Sequence, residues 1–327
     1  MTFEFLVHPE FNFVKSFGEN FTIPVFKDGL KMPASMGKGY IKQIDVQAGL
    51  KLVLHHYTLK QDFHLKRKAP EGNYDLISIV FNSNEIPTNA TPDRQSAIQF
   101  LKNNGSSIQI ASSALGTETF FPAGSEVNFG VIGIKRQVLC SLLRIDQVSG
   151  PLETILRGDG LFFYHEKMNP EVQRTLKQLS EINDQNKLSD LYYDIKVHEL
   201  IYLLFDKLLA RGIEKQSPIN KSDVDKLSAI RTAILADLSL PPKLNSLAKM
   251  AGMSETKMKQ LFKQTFGDTI YNYYQNERMR EAGFLLKHAG YSVSEAGYQL
   301  GFSNLSHFSR LFEKHYGLTP KKYTTAG

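Results

Sequence analysis

Apolar positions follow two different rhythms along this chain. As far as about residue 168 they fall in short β-branched or aromatic runs, at 40–47, 50–60, 74–83, 107–113 and 126–134. Such short runs predict β-strands. Turn-forming residues cluster between them: Gly29, Pro33, Gly37 and Gly39, then Pro87 to Pro92, Asn103 to Gly105, and Pro122 to Gly124. Many short strands separated by such turns predict a β-barrel or sandwich. From Pro170 the rhythm changes. Leu191, Ile195, His198, Tyr202, Phe205 and Leu209 recur at spacings of three and four, predicting two helices over 170–211 with one apolar stripe. That stripe fits either the β-body or a second subunit. Residues 212–220 mix Gly, Pro, Ser and charge without period and read as a linker. Beyond them Ser222 is placed to cap a helix running to about Ala236, Pro241 and Pro242 stop any continuation, and Asn245 is placed to cap the next helix.

The helical rhythm then repeats itself. Residues 246–267 read SLAKMAGMSETKMKQLFKQTFG, and residues 294–317 read SEAGYQLGFSNLSHFSRLFEKHYG. Each predicts a short helix, a glycine turn, a Ser or Asn cap and a longer amphipathic helix ending at Gly, the pattern of a helix-turn-helix. At 100° per residue, Met258, Leu261, Phe262 and Thr265 share the inner side of the first long helix, and Thr256, Lys259, Gln260 and Lys263 the outer side. In the second, Phe308, Leu311, Phe312 and His315 face inward, and Ser306, Ser309, Arg310 and Glu313 outward. Lys, Gln and Arg on such a face reach phosphates and base edges in a major groove, and a guanidinium pairs bidentately with guanine. Glu313 would repel phosphate, unless it sits beyond the groove or pairs with Arg310 one turn away. Between the copies, 269–288 predicts one helix about 30 Å long at ~1.5 Å per residue, near the ~34 Å advance of one duplex turn. Its expected inner side carries Tyr271, Tyr274, Ala282 and Leu285, with Arg278 among them.

Charge sharpens this picture. The net charge of +6 lies entirely from Lys221 onward, where 15 basic and 9 acidic side chains stand, while the first 220 residues hold 24 of each. A lone cysteine, Cys140, excludes a disulfide within the chain and a multi-cysteine zinc site, and reads as a small buried filler. The N-terminus lacks a basic segment followed by an apolar run, and no apolar stretch reaches the ~18 residues of a membrane helix, so a cytoplasmic location without membrane contact is expected. There is no phosphate-binding glycine loop, dinucleotide fingerprint or nucleophile elbow. His55, His56 and His64 lack metal-ligand spacing with a carboxylate, and Asp159 and Glu166 near His165 form no catalytic pair. No cofactor or metal is expected.

The last hundred residues resemble the DNA-binding domain of the AraC/XylS family of transcription regulators. The resemblance rests on 246–267, on ERMREAGFLLKH (277–288), and on LGFSNLSHFSRLFEKHYGLTPKKY (300–323), where Gly301, Phe302, Ser303, Phe308, Arg310, Phe312, Gly317, Pro320 and Tyr323 stand. It implies seven helices with two helix-turn-helix units. It implies base reading by Thr256, Lys259, Gln260, Ser306, Ser309 and Arg310, with phosphate contacts from Lys257, Lys263, Asn304 and Arg278. The family usually has a large aliphatic followed by Ala where this chain has Ala296-Gly297. Residues 120–134 are similar to the strand–turn–strand of a cupin-like barrel. The expected class is thus α+β in two domains. A cupin-like β-barrel with two C-terminal helices (1–211) and a linker (212–220) precede an all-α DNA-binding domain (221–327). The expected partners are an operator duplex, a small-molecule effector, RNA polymerase and a second copy held through helices 170–211. Two alternatives stand beside this: a cupin-type metalloenzyme fused to a DNA-binding tail, and a dimeric DNA binder without an effector.

Overall fold

The computed structural model describes the chain except residues 9, 27–28, 71–74, 84–105, 146–148, 159, 183–185, 212–216, 288 and 326–327. The expected turns at Pro87 to Pro92 and Asn103 to Gly105, Asp159, and residues 212–216 of the expected linker lie outside the described residues. Two compact units emerge, Met1–Lys221 and Ser222–Gly327.

In the first unit the strands are β1 (Thr2–Leu6), β2 (Val25–Phe26), β3 (Gly29–Lys31), β4 (Gly37–Gln47), β5 (Leu50–Leu59), β6 (Phe63–Lys68), β7 (Leu76–Asn82), β8 (Ser107–Ser112), β9 (Thr117–Phe121), β10 (Glu126–Lys135) and β11 (Phe163–Lys167). The helices are α1 (Phe13–Phe21), α2 (Arg136–Leu143), α3 (Pro151–Arg157), α4 (Pro170–Ser180) and α5 (Ser189–Leu209). Eight strands pair in the order β11-β8-β7-β10-β5-β4-β3-β2, and three more in the order β1-β6-β9. Neither sheet closes on itself among the described residues, so the closed barrel that was expected is not found there. Alternation tells which face a residue occupies but not which strand it pairs with, so closure cannot be read from it. Gly37 and Gly39, expected in a turn, lie inside β4.

Alternation on β5 shows why both faces of the large sheet are covered. Leu50, Leu52 and Leu54 point one way, into a core with Ile77, Ile79, Ile132 and Ile134 that α2 to α5 cover with Leu139, Ile155, Leu176, Val197 and Leu204. Residues of the other parity, with Tyr57 and Leu59 at the far end, face Phe3, Phe13, Phe17, Phe63 and Phe121 of α1 and the small sheet. Helix α5 corrects the expected stripe. Its buried side is Tyr193, Val197, Leu200, Ile201, Leu204, Phe205 and Leu208. Of the expected set only Phe205 belongs there, while Leu191, Ile195, Tyr202 and Leu209 are exposed. Cys140 is also exposed, on α2, where Leu139 is the buried residue.

The second unit is helical: α6 (Lys221–Ala236), α7 (Leu244–Ala251), α8 (Glu255–Phe266), α9 (Ile270–Lys287), α10 (Val293–Gln299), α11 (Leu305–Tyr316) and α12 (Pro320–Thr325). Ser222 lies inside the first turn of α6 rather than ahead of it. Helix α7 starts after Lys243 with no side-chain cap, so Asn245 is not the cap expected of it. On α9, Tyr273, Tyr274, Ala282 and Leu285 are buried, whereas Tyr271 points outward.

Candidate nucleic-acid interface

Two helix pairs, α7 with α8 and α10 with α11, carry the outward polar residues. In the first pair, α7 ends at Gly252 (φ 57°), and Ser254 caps α8 by accepting from the Lys257 backbone N–H. Met258, Leu261, Phe262, Thr265 and Phe266 anchor α8 from below. Thr256, Lys259, Gln260 and Lys263 are all exposed on its far side. In the second pair a full capping box opens α10: Ser292 accepts from the Glu295 N–H, and the Glu295 carboxylate accepts from the Ser292 N–H. Asn304 Oδ1 accepts from both Ser306 N–H and His307 N–H to start α11. Phe308 and Phe312 are wholly buried beneath it, Leu311 and His315 half-buried, and Ser306 and Arg310 exposed, with Ser309 half-buried between the faces.

Two glycines of the second pair have distinct physical reasons. Gly301 sits at φ 75°, and a Cβ there would lie 2.0 Å from the Ser239 carbonyl oxygen. Both the left-handed backbone and the close approach require glycine. Gly297, where the family usually has Ala, faces α11, and a Cβ would lie 2.6 Å from a Leu305 methyl and 3.3 Å from the Phe308 ring. The missing methyl therefore lets α10 and α11 pack close.

Charge on the two outer faces is arranged differently. Lys257 Nζ donates to the buried Asp223 carboxylate at 2.7 Å, and Lys259 Nζ pairs with Glu255 at 3.1 Å one turn back. Lys257 is thus tied down by its own domain, a role its sequence position did not reveal. Arg310 makes no hydrogen bond or ion pair with the described residues, so the pairing with Glu313 that spacing allowed is not formed.

Arg278, whose place on the inner side of its helix allowed either a structural pairing or a phosphate anchor, makes structural contacts. It is buried at 7 % exposure, its Nε and Nη2 donate to the Leu300 carbonyl at 2.8 and 2.6 Å, and its guanidinium lies 3.6 Å from the Phe302 ring centre. That arrangement satisfies an open carbonyl at the end of α10 and fixes the turn into α11. It holds the second pair in place, and a phosphate contact is not what its surroundings favour. Asn304 is exposed, but its side-chain oxygen is used as the cap. The alternation of buried and exposed residues located the outer faces. The tethers from Asp223 and Leu300 come from residues distant in sequence, and no local signal announced them.

The first unit offers little metal chemistry. Among the described residues no cluster of His, Cys, Asp and Glu could hold a metal ion. His55 is buried against Phe129, His56 is exposed and meets Asn128, and His64 lies near Glu118. Glu166 is held by Lys207 at 3.0 Å and by Arg211. Among the described residues no helix is long and apolar enough to cross a membrane.

Comparison with known proteins follows this layout. Residues 247–326 match the family described as Helix-turn-helix domain, and residues 37–221 match Regulatory protein PchR N-terminal domain. The chain is 27 % identical over 153 residues to the HTH-type transcriptional activator RhaR of Mannheimia succiniciproducens, covering 46 % of this chain and 55 % of that one. It is 32 % identical over 116 residues to the Regulatory protein PchR of Pseudomonas aeruginosa, covering 35 % and 39 %. The chain therefore spans about half or less of the length of these relatives. A solved AraC-type DNA-binding domain protein from Chromobacterium violaceum is 28 % identical, with coverage of 32 % of this chain and 95 % of that one and a TM-score of 0.30. One of these relatives is named a transcriptional activator and the other a regulatory protein.

Proposed function

The chain belongs to the AraC/XylS family of transcription regulators, and from that membership we propose that it is a sequence-specific DNA-binding regulator responsive to a small effector. In this reading residues 1–211 bind effector and a second subunit, 212–220 link, and 221–327 bind an operator duplex. The carrying observation is the pair of capped helices, α8 and α11, each anchored by buried aromatics and each presenting a polar outer face. As helix-turn-helix units they enter successive major grooves. The connecting helix α9, 18 residues long, spans about 27 Å at ~1.5 Å per residue, comparable with the ~34 Å of one duplex turn. Thr256, Lys259 and Gln260 read bases from the first unit, and Ser306, Ser309 and Arg310 from the second. Lys263 contacts phosphate, and Lys257 does so while tethered to Asp223.

The exposed stripe of Leu191, Ile195, Tyr202 and Leu209 on α5 supports a second copy of this chain as the partner at that face. The effector shifts the balance between two states that differ in operator occupancy or in recruitment of RNA polymerase. Hydroxyl-radical footprinting of the full chain on DNA selected from a random library tests the reading. Two protected grooves about one helical turn apart in each half-site are expected, and one protected groove or none would overturn it.

A further inference from the structure

Between the inner faces of its two sheets the first unit holds a partly open cavity of about 180 Å³. Its walls are chiefly aromatic and aliphatic, with Phe5, Phe13, Val53, Phe121 and Phe129 among them. Strand β6 turns Arg67 into this space together with Leu65, and only 9 % of Arg67 is exposed. One guanidinium nitrogen, Nη2, donates to the Leu115 carbonyl at 2.9 Å. Nε is buried and has no acceptor. Among the described residues no carboxylate pairs with Arg67, and no Asp or Glu lines the cavity. Two lysines also line it: Lys51 is held by the Phe11 carbonyl at 3.5 Å and by Asp45 at 3.7 Å, and Lys135 is exposed, whereas Arg67 is the buried cation of the three.

An arginine stays protonated even where burial lowers its pKa to about 10, as it does here. A buried charge without a counter-charge is strongly disfavoured, so Arg67 calls for an anionic partner on the cavity side. A second polar group shares the defect. His55, at 3 % exposure, is stacked on Phe129 with ring centres 3.9 Å apart, and its Nδ1 is buried without a partner. Burial holds this imidazole neutral, with its pKa lowered to about 3, so it offers a hydrogen bond rather than a second charge. The volume is slightly larger than the ~150 Å³ apolar cavity known to accept one benzene ring.

We infer that the cavity takes a small apolar carboxylic acid with a body of about one ring, whose carboxylate pairs with Arg67 and whose remaining polar edge meets His55. The apolar walls receive the hydrocarbon, and the single unpaired guanidinium selects for the anion. This rests on the effector-responsive reading above and names the chemistry of its ligand.

Titration calorimetry on the full chain tests it, with benzoate, phenylacetate and cyclohexanecarboxylate set against their primary amides and against a neutral sugar. The acids are expected to bind at least tenfold more tightly than their amides. Arg67→Met should remove that preference while leaving amide binding as it was, and Arg67→Lys should keep the preference at reduced affinity. Should the Met variant fail to fold by circular dichroism, the acid-to-amide ratio of the unaltered chain and the Lys variant decide. Equal binding of acid and amide, binding of the sugar alone, or no binding of any acid would overturn the assignment. Operator binding by fluorescence anisotropy, with and without benzoate, separates the two ideas. An acid that binds through Arg67 but leaves operator affinity unchanged sinks effector control and spares the pocket chemistry.

Discussion

Helices α8 and α11 share an underside and differ in what they show to solvent. Both rest on buried aromatics, Phe262 and Phe266 in one, Phe308 and Phe312 in the other. The outer face of α8 is rich in lysine, but Lys257 is held by Asp223 and Lys259 by Glu255. That of α11 has a single forward cation, Arg310, unpaired beside two serines. The turns differ as well. The first passes through a glycine with open space around it, and the second through a glycine pressed against the Ser239 backbone. A repeated motif thus has two physical solutions: a loosely framed first unit whose Lys257 and Lys259 are paired within the domain, and a tightly framed second unit that presents the unpaired Arg310.

The largest effect should come from the turns. Gly301→Ala combines left-handed backbone strain with a clash against a carbonyl oxygen, and about 3 kcal/mol or more of stability should be lost in urea unfolding. Gly252→Ala has the strain without the clash, and should lose about 1–2 kcal/mol. Equal losses would erase the claimed difference in framing. Next comes Arg310→Ala, expected to cost about 1–3 kcal/mol on the selected site and to relax preference at one base position. Should it weaken binding to random DNA just as much, Arg310 is no reader.

Lys263→Ala should act more weakly and without sequence preference, lowering the slope of log affinity against log salt by about 0.9. A change confined to one base pair would move Lys263 from the phosphate set to the readers. The smallest effect concerns the opening caps. Hydrogen bonds from Ser292 hold the Glu295 carboxyl below its ordinary pKa. A depressed folded-state pKa contributes stability above about 4.5, lost as pH falls through the folded value. Glu295→Gln should flatten that acid limb slightly in thermal melts taken from pH 6 to pH 3. Helix α7, which has no side-chain cap, offers no counterpart.

The sequence made the second unit far more legible than the first. Helical periodicity is local: three or four residues suffice to assign Met258 and Phe262 to one side and Lys259 to the other. The same reasoning misassigned α5, because that helix is apolar on more than one side and spacing alone picked Leu191 and Ile195 over Val197 and Leu200. Phe205 satisfied both patterns. In the β-region, the pattern of short runs located β4, β5, β7, β8 and β10. It missed β1, β2, β3, β6, β9 and β11, and so the whole small sheet of β1, β6 and β9 that carries Arg67. Cys140 looked buried because its neighbours are apolar, yet α2 turns it outward.

What the order of residues determined unaided is the amphipathic geometry of α8 and α11 and their family, since both depend on patterns within a turn or two of helix. What three-dimensional packing decided is which charges are free to act. Asp223 takes Lys257, the Leu300 carbonyl takes Arg278, and nothing among the described residues takes the Nε of Arg67. An ion's availability depends on partners brought from 22 or more residues away. The chain cannot express that before it folds, because Coulomb attraction and desolvation act through space and not along the backbone.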